Sequence, residues 1–438
     1  MRHTRWLAAA ALGTALTAGS LVTGVLAGGA GASVHPAASP VTLTLWENYG
    51  TEQNATATRA LVKAFEKTHP GITIDVVSEP ADNYFSLLQA AAISHKGPDL
   101  LVMWTGLFTL QYEDFLANLK GKVPASDLAR VQDLQWTAND FDAANGPFVI
   151  PLEIQFYIGF YNKADFAKAG ITSVPTTWSQ LYSACTKLKA AGYTPLVYGN
   201  GGQALGAEFY PWYDMSYMMI GAHSVSAWKD LYDGQIPWTS QTNVAQLAAW
   251  QKLHTLGCTN PDVLTKTDNI QEFESGKAAM LVDGTWDTAQ YTGAMGSKVA
   301  AFVPPFSDTP IHGVVEFAGD GFSMTNYSPY PTQDAEFLDF LTTAEAGKIV
   351  NQSGLIPAID GMTTSNPVNQ EMLDFVNKDH YVPYPMLDNV TQGNIVNAGS
   401  TVLPAVLAGQ ESPMAALTKL QQTWQQLPSS QRGTTYEG

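Results

Sequence analysis

Apolar and polar residues alternate with a period of two through Val41-Thr42-Leu43-Thr44-Leu45, the pattern of a strand with one buried face. Leu61, Ala64 and Phe65 then fall on one helical face, and Pro70-Gly71 stops that helix. Ile72, Ile74 and Val76 alternate with Thr73 and Asp75 as a second strand. A helix over about 84–93 is broken at Gly97-Pro98, and 99–103 reads as a buried third strand. Strand, helix, strand, helix, strand predicts an open, largely parallel α/β sheet.

A second block follows the same grammar. Residues 156–161 form an apolar strand, and Thr177-Trp178-Ser179-Gln180 fits a capping box. The helix it opens carries Trp178, Leu181, Tyr182, Cys185 and Leu188 on one face and ends at Gly192. Strands at 194–198 and 278–282 and a helix at 242–256 come next, and helical patterns dominate from Asp334 onward. Two α/β blocks meeting near residue 150 predict two lobes. Open α/β sheets bind ligands beyond the carboxyl ends of their strands, so a cleft between the lobes would combine both sets of strand ends.

The first thirty-two residues have another purpose. Arg2, His3 and Arg5 precede an apolar run from Trp6 to Ala27, and Ala30-Gly31-Ala32 places small residues at a cleavage site. This predicts a secretory signal peptide over 1–32, a flexible Ala/Gly/Ser/Pro-rich leader over 33–40, and a secreted mature protein at the cell surface or in a periplasm.

Composition narrows the function. Lys plus Arg number 22 against 39 Asp plus Glu, a formal charge of −17, which argues against nucleic acid or an anionic membrane as the main partner. Aromatic residues make up 11%, too many for a disordered chain. Two cysteines exclude a disulfide-dense scaffold and a thiolate metal cluster. Export exposes Cys185 and Cys258 to oxidation; they either pair or serve as two small buried hydrophobes.

Catalytic motifs are absent: no His-Glu-x-x-His, no Gly-x-Ser-x-Gly, no Cys-x-x-Cys, and histidines scattered singly, so no cofactor and no metal is expected. Residues 199–204 match the loose dinucleotide pattern, but in an exported chain they read better as a Gly-rich connection bordering a cleft. Glu47, Glu153, Glu208, Glu316 and Asp320 could supply the carboxyl pair of a glycosidase, yet in so acidic a chain such pairs are unavoidable. The aromatics are more informative. Trp46 follows the first strand, Trp104 the third, and Trp286 the strand at 278–282; Phe209, Tyr210 and Trp212 follow the Gly-rich stretch. Large rings at strand ends beside polar groups suit a sugar, whose C–H faces pack on rings while carboxylates and amides take its hydroxyls.

In order and spacing, Leu43-Thr44-Leu45-Trp46, the segment 64–72, Gly97-Pro98-Asp99-Leu100, Gly159-Phe160-Tyr161-Asn162-Lys163, Pro175-Thr176-Thr177-Trp178, the segment 273–280 and Gly354-Leu355-Ile356-Pro357 resemble the extracellular solute-binding proteins of carbohydrate ABC importers, the family that includes maltose-binding protein. The resemblance spans nearly the whole mature chain. It implies a two-lobed periplasmic-binding-protein type II fold with a hinge and an interlobe cleft. The lobes would be 41–152 with 305–357 and 153–304 with 358–438, the chain crossing near 151–155, 303–305 and 357–360. It implies a ligand site of Trp46, Glu47, Asp82, Trp104, Glu153, Tyr210, Trp212, Trp286 and Asp320. It also implies a monomer that carries a mono- or oligosaccharide to importer permease subunits. One departure stands out: Leu26-Ala27-Gly28 is followed by Gly29 where the family places a lipidated cysteine, so no acyl anchor is expected there. The rival readings are a secreted glycosidase, for which the eight strand–helix units of a barrel are missing, and a receptor for a non-sugar solute such as a polyamine or a metal chelate, whose site would concentrate charge.

Overall fold

The computed structural model describes residues 40–50, 53–199, 206–361 and 363–436, with the side chains of 82 and 206–209 outside that description. The expected signal peptide and nearly all of the leader lie outside the described residues, as do 200–204 of the Gly-rich stretch.

Eleven strands occur among these residues: β1 (Val41–Glu47), β2 (Ile72–Ser78), β3 (Leu100–Met103), β4 (Ile150–Pro151), β5 (Ile154–Asn162), β6 (Thr194–Val197), β7 (Ala278–Gly284), β8 (Val299–Phe302), β9 (Gly313–Ala318), β10 (Gly321–Met324) and β11 (Val382–Tyr384). They form two sheets. The first runs β2-β1-β3-β10-β4, and the second β11-β9-β5-β7-β6 with β8 also paired to β5. β1 lies parallel to β2, Val41 opposite Ile72, and the alternating residues Leu43, Leu45 and Ile74 point into the core. Helix Gln53–Thr68 connects them and buries Leu61, Val62 and Phe65. The second sheet departs from the expected parallel pattern, because β5 is antiparallel to β7, β8 and β9.

The crossing expected near 303–305 also moves. β9 pairs with β5 and β11 in the second sheet, so the chain returns to the first sheet only between Ala318 and Gly321. A strand of two-sided burial such as Gly313–Ala318 carries no alternation that reveals which sheet it joins. The other connections are Leu152-Glu153, between β4 and β5, and the stretch after Ile356. Main-chain hydrogen bonds bind the three together: Leu152 N–H to Asp320 O at 2.9 Å, Gly319 N–H to Glu153 O at 2.9 Å and Ile154 N–H to Ile356 O at 2.8 Å.

Topology sets which strand ends meet. β10 is antiparallel to β3 with Gly321 opposite Met103, so Trp104 and Asp320 leave the sheet at one edge. In the second sheet Tyr157 pairs with Gly284 and Ile154 with Ala318, so Glu153, the turn after β7 and Gly319-Asp320 share an edge as well. The two connections of two residues each hold these edges against one another.

Helix Trp178–Ala190 begins as its sequence suggests. Thr177 Oγ1 accepts from Gln180 N–H at 3.4 Å, while Gln180 Oε1 accepts from Thr176 N–H at 2.8 Å. Cys185 on this helix and Cys258 are disulfide-bonded, with Cα atoms 5.2 Å apart and 73 residues of separation. Replacing both by alanine should lower unfolding free energy by about 2–4 kcal/mol, read by urea denaturation, because the link constrains a long loop of the unfolded chain. An unchanged denaturation midpoint would show that the link adds nothing.

Candidate functional site at the facing sheet edges

Glu47 ends β1, and its carboxylate turns back on the following loop. Oε2 accepts from Tyr49 N–H at 2.6 Å, and Glu47 is 1% exposed. Glu153 lies at the crossing and is fully buried. Its Oε1 accepts from Asn54 Nδ2 at 2.6 Å and from Gln155 Nε2 at 2.9 Å, tying the start of helix Gln53–Thr68 to the second sheet. Burial pushes the Glu153 carboxyl up to about 7, and these two bonds only partly offset it. The Tyr49 phenol lies between the groups. Burial drives it well above its ordinary value, and the neighbouring carboxyls Asp320, Glu153 and Glu47 add to this.

The second lobe supplies the facing wall. Trp286, just past β7, lies over Gly284, where a Cβ would stand 2.1 Å from the indole. Its ring meets that of Tyr213 at 6.2 Å. Tyr213 is raised well above its ordinary value by burial and by Asp388, Asp320 and Asp283, so it faces carboxyls contributed by both lobes. Tyr210, one turn earlier on helix Gly206–Ala222, is buried beside Asp283. Burial also pushes Asp283 up, and its carboxylate accepts from the Tyr291 hydroxyl. Asp388 belongs to the 3-10 turn Leu387–Val390; burial pushes it up to about 7 against the backbone N–H groups of Asp388 and Asn389.

The lobes touch close by. Gly106 has φ +71°, and a Cβ there would stand 2.1 Å from the Asn389 carbonyl oxygen, so any larger residue is both strained and obstructed. The Asn389 amide reaches the Thr105 hydroxyl at 3.5 Å.

The structure brings Glu47, Glu153, Asp320, Tyr210 and Trp286 to these facing edges. Trp46, the penultimate residue of β1, is half-buried, and Trp104 packs edge-on against Phe85 at 4.7 Å and Phe108 at 5.2 Å on the first lobe. The Asp82 and Glu208 side chains lie outside the description. Glu316 on β9 neighbours Asp133; burial and that carboxylate drive it well above its ordinary value. Trp212 is a correction. It is fully buried, meets Trp238 at 5.9 Å, donates from Nε1 to Val396 O at 3.3 Å, and is pressed on Gly399, leaving no face on which a ligand could stack. Tyr49, Asn54, Tyr213 and Asp388 were not among the expected residues. Helical spacing could have found Tyr213, which shares a face with Tyr210 three residues before it.

Six buried polar atoms here have no hydrogen-bond partner among the described residues: Glu47 Oε1, the Tyr49 hydroxyl, Asn54 Oδ1, Glu153 Oε2, Trp286 Nε1 and Asp388 Oδ1. Leaving such a group unpaired costs about 1–3 kcal/mol. The Asn54 amide oxygen accepts only, the three carboxyl oxygens accept when ionised, the indole donates only, and the phenol does both. Among the described residues, no Lys or Arg appears among the partners of these groups. The wall is therefore built to receive many O–H or N–H donors, with rings alongside.

Known proteins resemble this chain over most of its length. The family model for bacterial extracellular solute-binding proteins matches residues 49–348. A protein of Brucella abortus (strain 2308), described as a binding protein, is 23% identical over 300 residues, which is 67% of this chain and 71% of that one. Among solved structures, a chitin oligosaccharide binding protein is 21% identical, covers 88% of this chain and 98% of its own, and superposes with a TM-score of 0.76. The GacH receptor of Streptomyces glaucescens, described unliganded and with acarbose, is 19% identical, covers 88% and 98%, and gives a TM-score of 0.71.

Proposed function

Because this chain belongs to the bacterial extracellular solute-binding proteins, we propose that it is a non-catalytic carbohydrate receptor that closes two lobes around a mono- or oligosaccharide and delivers it to the permease subunits of an ABC importer. Those permease subunits are its partners, it acts as a monomer, and it works outside the cytoplasm after losing its signal peptide.

The six unpartnered polar atoms between the lobes carry this reading. Sugar hydroxyls would donate to Glu47, Asn54, Glu153 and Asp388 and accept from the Trp286 indole. Trp286, Tyr213 and Tyr210 would pack against the ring faces, and Trp46, Trp104 and Asp320 would extend the same wall from the first lobe. Solved proteins of this fold whose descriptions name chitin oligosaccharide, acarbose or raffinose make a sugar the natural first trial.

Titration calorimetry against a panel of mono- and oligosaccharides tests the reading; a flat response across the panel would refute it. Trp286→Ala should weaken binding of the best sugar by about 1–3 kcal/mol, roughly fivefold to 150-fold. Unchanged affinity would remove Trp286 from the wall.

The carboxyls Glu47, Glu153, Asp320 and Asp388 favour one second reading, a cationic solute such as a polyamine. Salt separates the two: added salt screens a cation away from carboxylates and leaves a neutral sugar nearly unaffected.

A further inference from the structure

Besides the three chain connections and the Gly106–Asn389 contact, the lobes meet where residues 136–141 face Trp228, Tyr232 and Tyr436. Residues 136–141 are fastened to the first lobe. Gly106 N–H donates to Trp136 O at 2.6 Å, Phe148 N–H to Thr137 O at 2.9 Å, and Asn139 Nδ2 to Glu113 Oε2 at 2.6 Å. Helix Ala227–Tyr232 and residues 431–436 are fastened to the second. Tyr232 O accepts from Trp424 Nε1 at 3.0 Å and from Gln392 Nε2 at 2.9 Å, and the Tyr232 hydroxyl donates to Thr435 O at 3.2 Å.

Between these two anchored pieces, Asp140 and Tyr436 exchange a pair of hydrogen bonds. Asp140 N–H donates to Tyr436 O at 2.9 Å, and Tyr436 N–H donates to Asp140 Oδ1 at 3.1 Å. The Tyr436 ring stacks on Phe141 with centroids 5.2 Å apart and an angle of 20°, and it meets Trp228 at 5.2 Å and Tyr232 at 4.7 Å. Trp136 reaches Trp228 at 5.6 Å. Asp140 and Phe141 both hold positive φ, 56° and 50°. Asp tolerates that region, but a bulky Phe persists there only when its surroundings over-determine it. Tyr436 supplies that constraint from the other lobe.

We propose that Tyr436 is a positioning residue, a tie across the two lobes that limits how far they separate and thereby sets how tightly ligand is retained, without touching it. The retention half rests on the receptor reading above; the limit on separation does not. A state that opens further competes with the ligand-competent one, and apparent affinity falls in proportion to the competent fraction.

The test places spin labels at Lys63→Cys and Lys187→Cys, exposed positions on the two lobes, and measures the distance distribution of the full chain without ligand. Tyr436→Ala and Asp140→Ala should lengthen and broaden the distribution, while Tyr436→Phe, which keeps the ring and the main chain, should match the parent. The melting temperature of Tyr436→Ala should stay within a few degrees of the parent. Its Kd for the best sugar of the panel should rise about threefold to tenfold. Distributions unchanged in both alanine variants would overturn the tie, as would a change in Tyr436→Phe equal to that in Tyr436→Ala. If the parent binds no sugar, the receptor reading fails, and the distances still decide the tie.

Discussion

Trp212→Ala is expected to lower unfolding free energy by about 3–5 kcal/mol, the range for deleting a fully buried large aromatic ring. Trp212 has no exposed surface, and its indole fills the space between Trp238 and the Gly399 backbone. The variant also leaves the Val396 carbonyl without its indole donor. Urea denaturation reads the loss, and calorimetry on the folded variant should return the parent affinity for sugar. A small stability change together with lost binding would restore Trp212 to the ligand wall.

The ligand-free protein should melt higher at pH 5 than at pH 8. Burial raises Glu153, Asp214 and Asp388 to about 7 from ordinary values of 4.5, 3.8 and 3.8. Asp214 is held by the Tyr157 hydroxyl at 3.0 Å, the Tyr198 hydroxyl at 2.6 Å and Trp250 Nε1 at 2.9 Å. A carboxyl whose folded value exceeds its unfolded value binds its proton more tightly when folded. The folded chain then carries more protons between about pH 4 and 7, and stability falls as pH rises through that window. Each such group is worth about 3–4 kcal/mol across its window, so the three together outweigh most single substitutions. Asp268 and Asp374 shift down through hydrogen bonds from Lys266 and Lys378, but their contribution is lost only below about pH 4. Scanning calorimetry from pH 5 to 8 checks the slope; a melting temperature that climbs with pH would contradict it. On the proposed reading, sugar hydroxyls would donate to Glu153 and Asp388 and favour the charged carboxylates. Binding should therefore strengthen toward pH 8 and release protons near pH 7, seen as a dependence of the binding heat on buffer ionisation.

How much of this was legible beforehand depended on the range of each interaction. The alternation in 41–45 and 72–76 reports local burial, and it located β1 and β2. Pairing partners are a long-range property, so neither the antiparallel second sheet nor the return at Ala318–Gly321 left a local trace. The aromatic run at 209–213 shows the same limit on a smaller scale. With 3.6 residues per turn, Tyr210 and Tyr213 share a face, while Trp212 points nearly opposite Tyr210. Reading that run as one cluster took in Trp212, a ring that the fold buries completely. Asp388 had no distinguishing neighbourhood among 39 acids; only folding places it opposite Tyr213.

The bonds that knit Leu152, Glu153 and Ile154 to Asp320, Gly319 and Ile356 are made by peptide groups alone. A joint written in backbone is indifferent to which side chains decorate it. Side chains around it can therefore be replaced without removing the bonds that shape it.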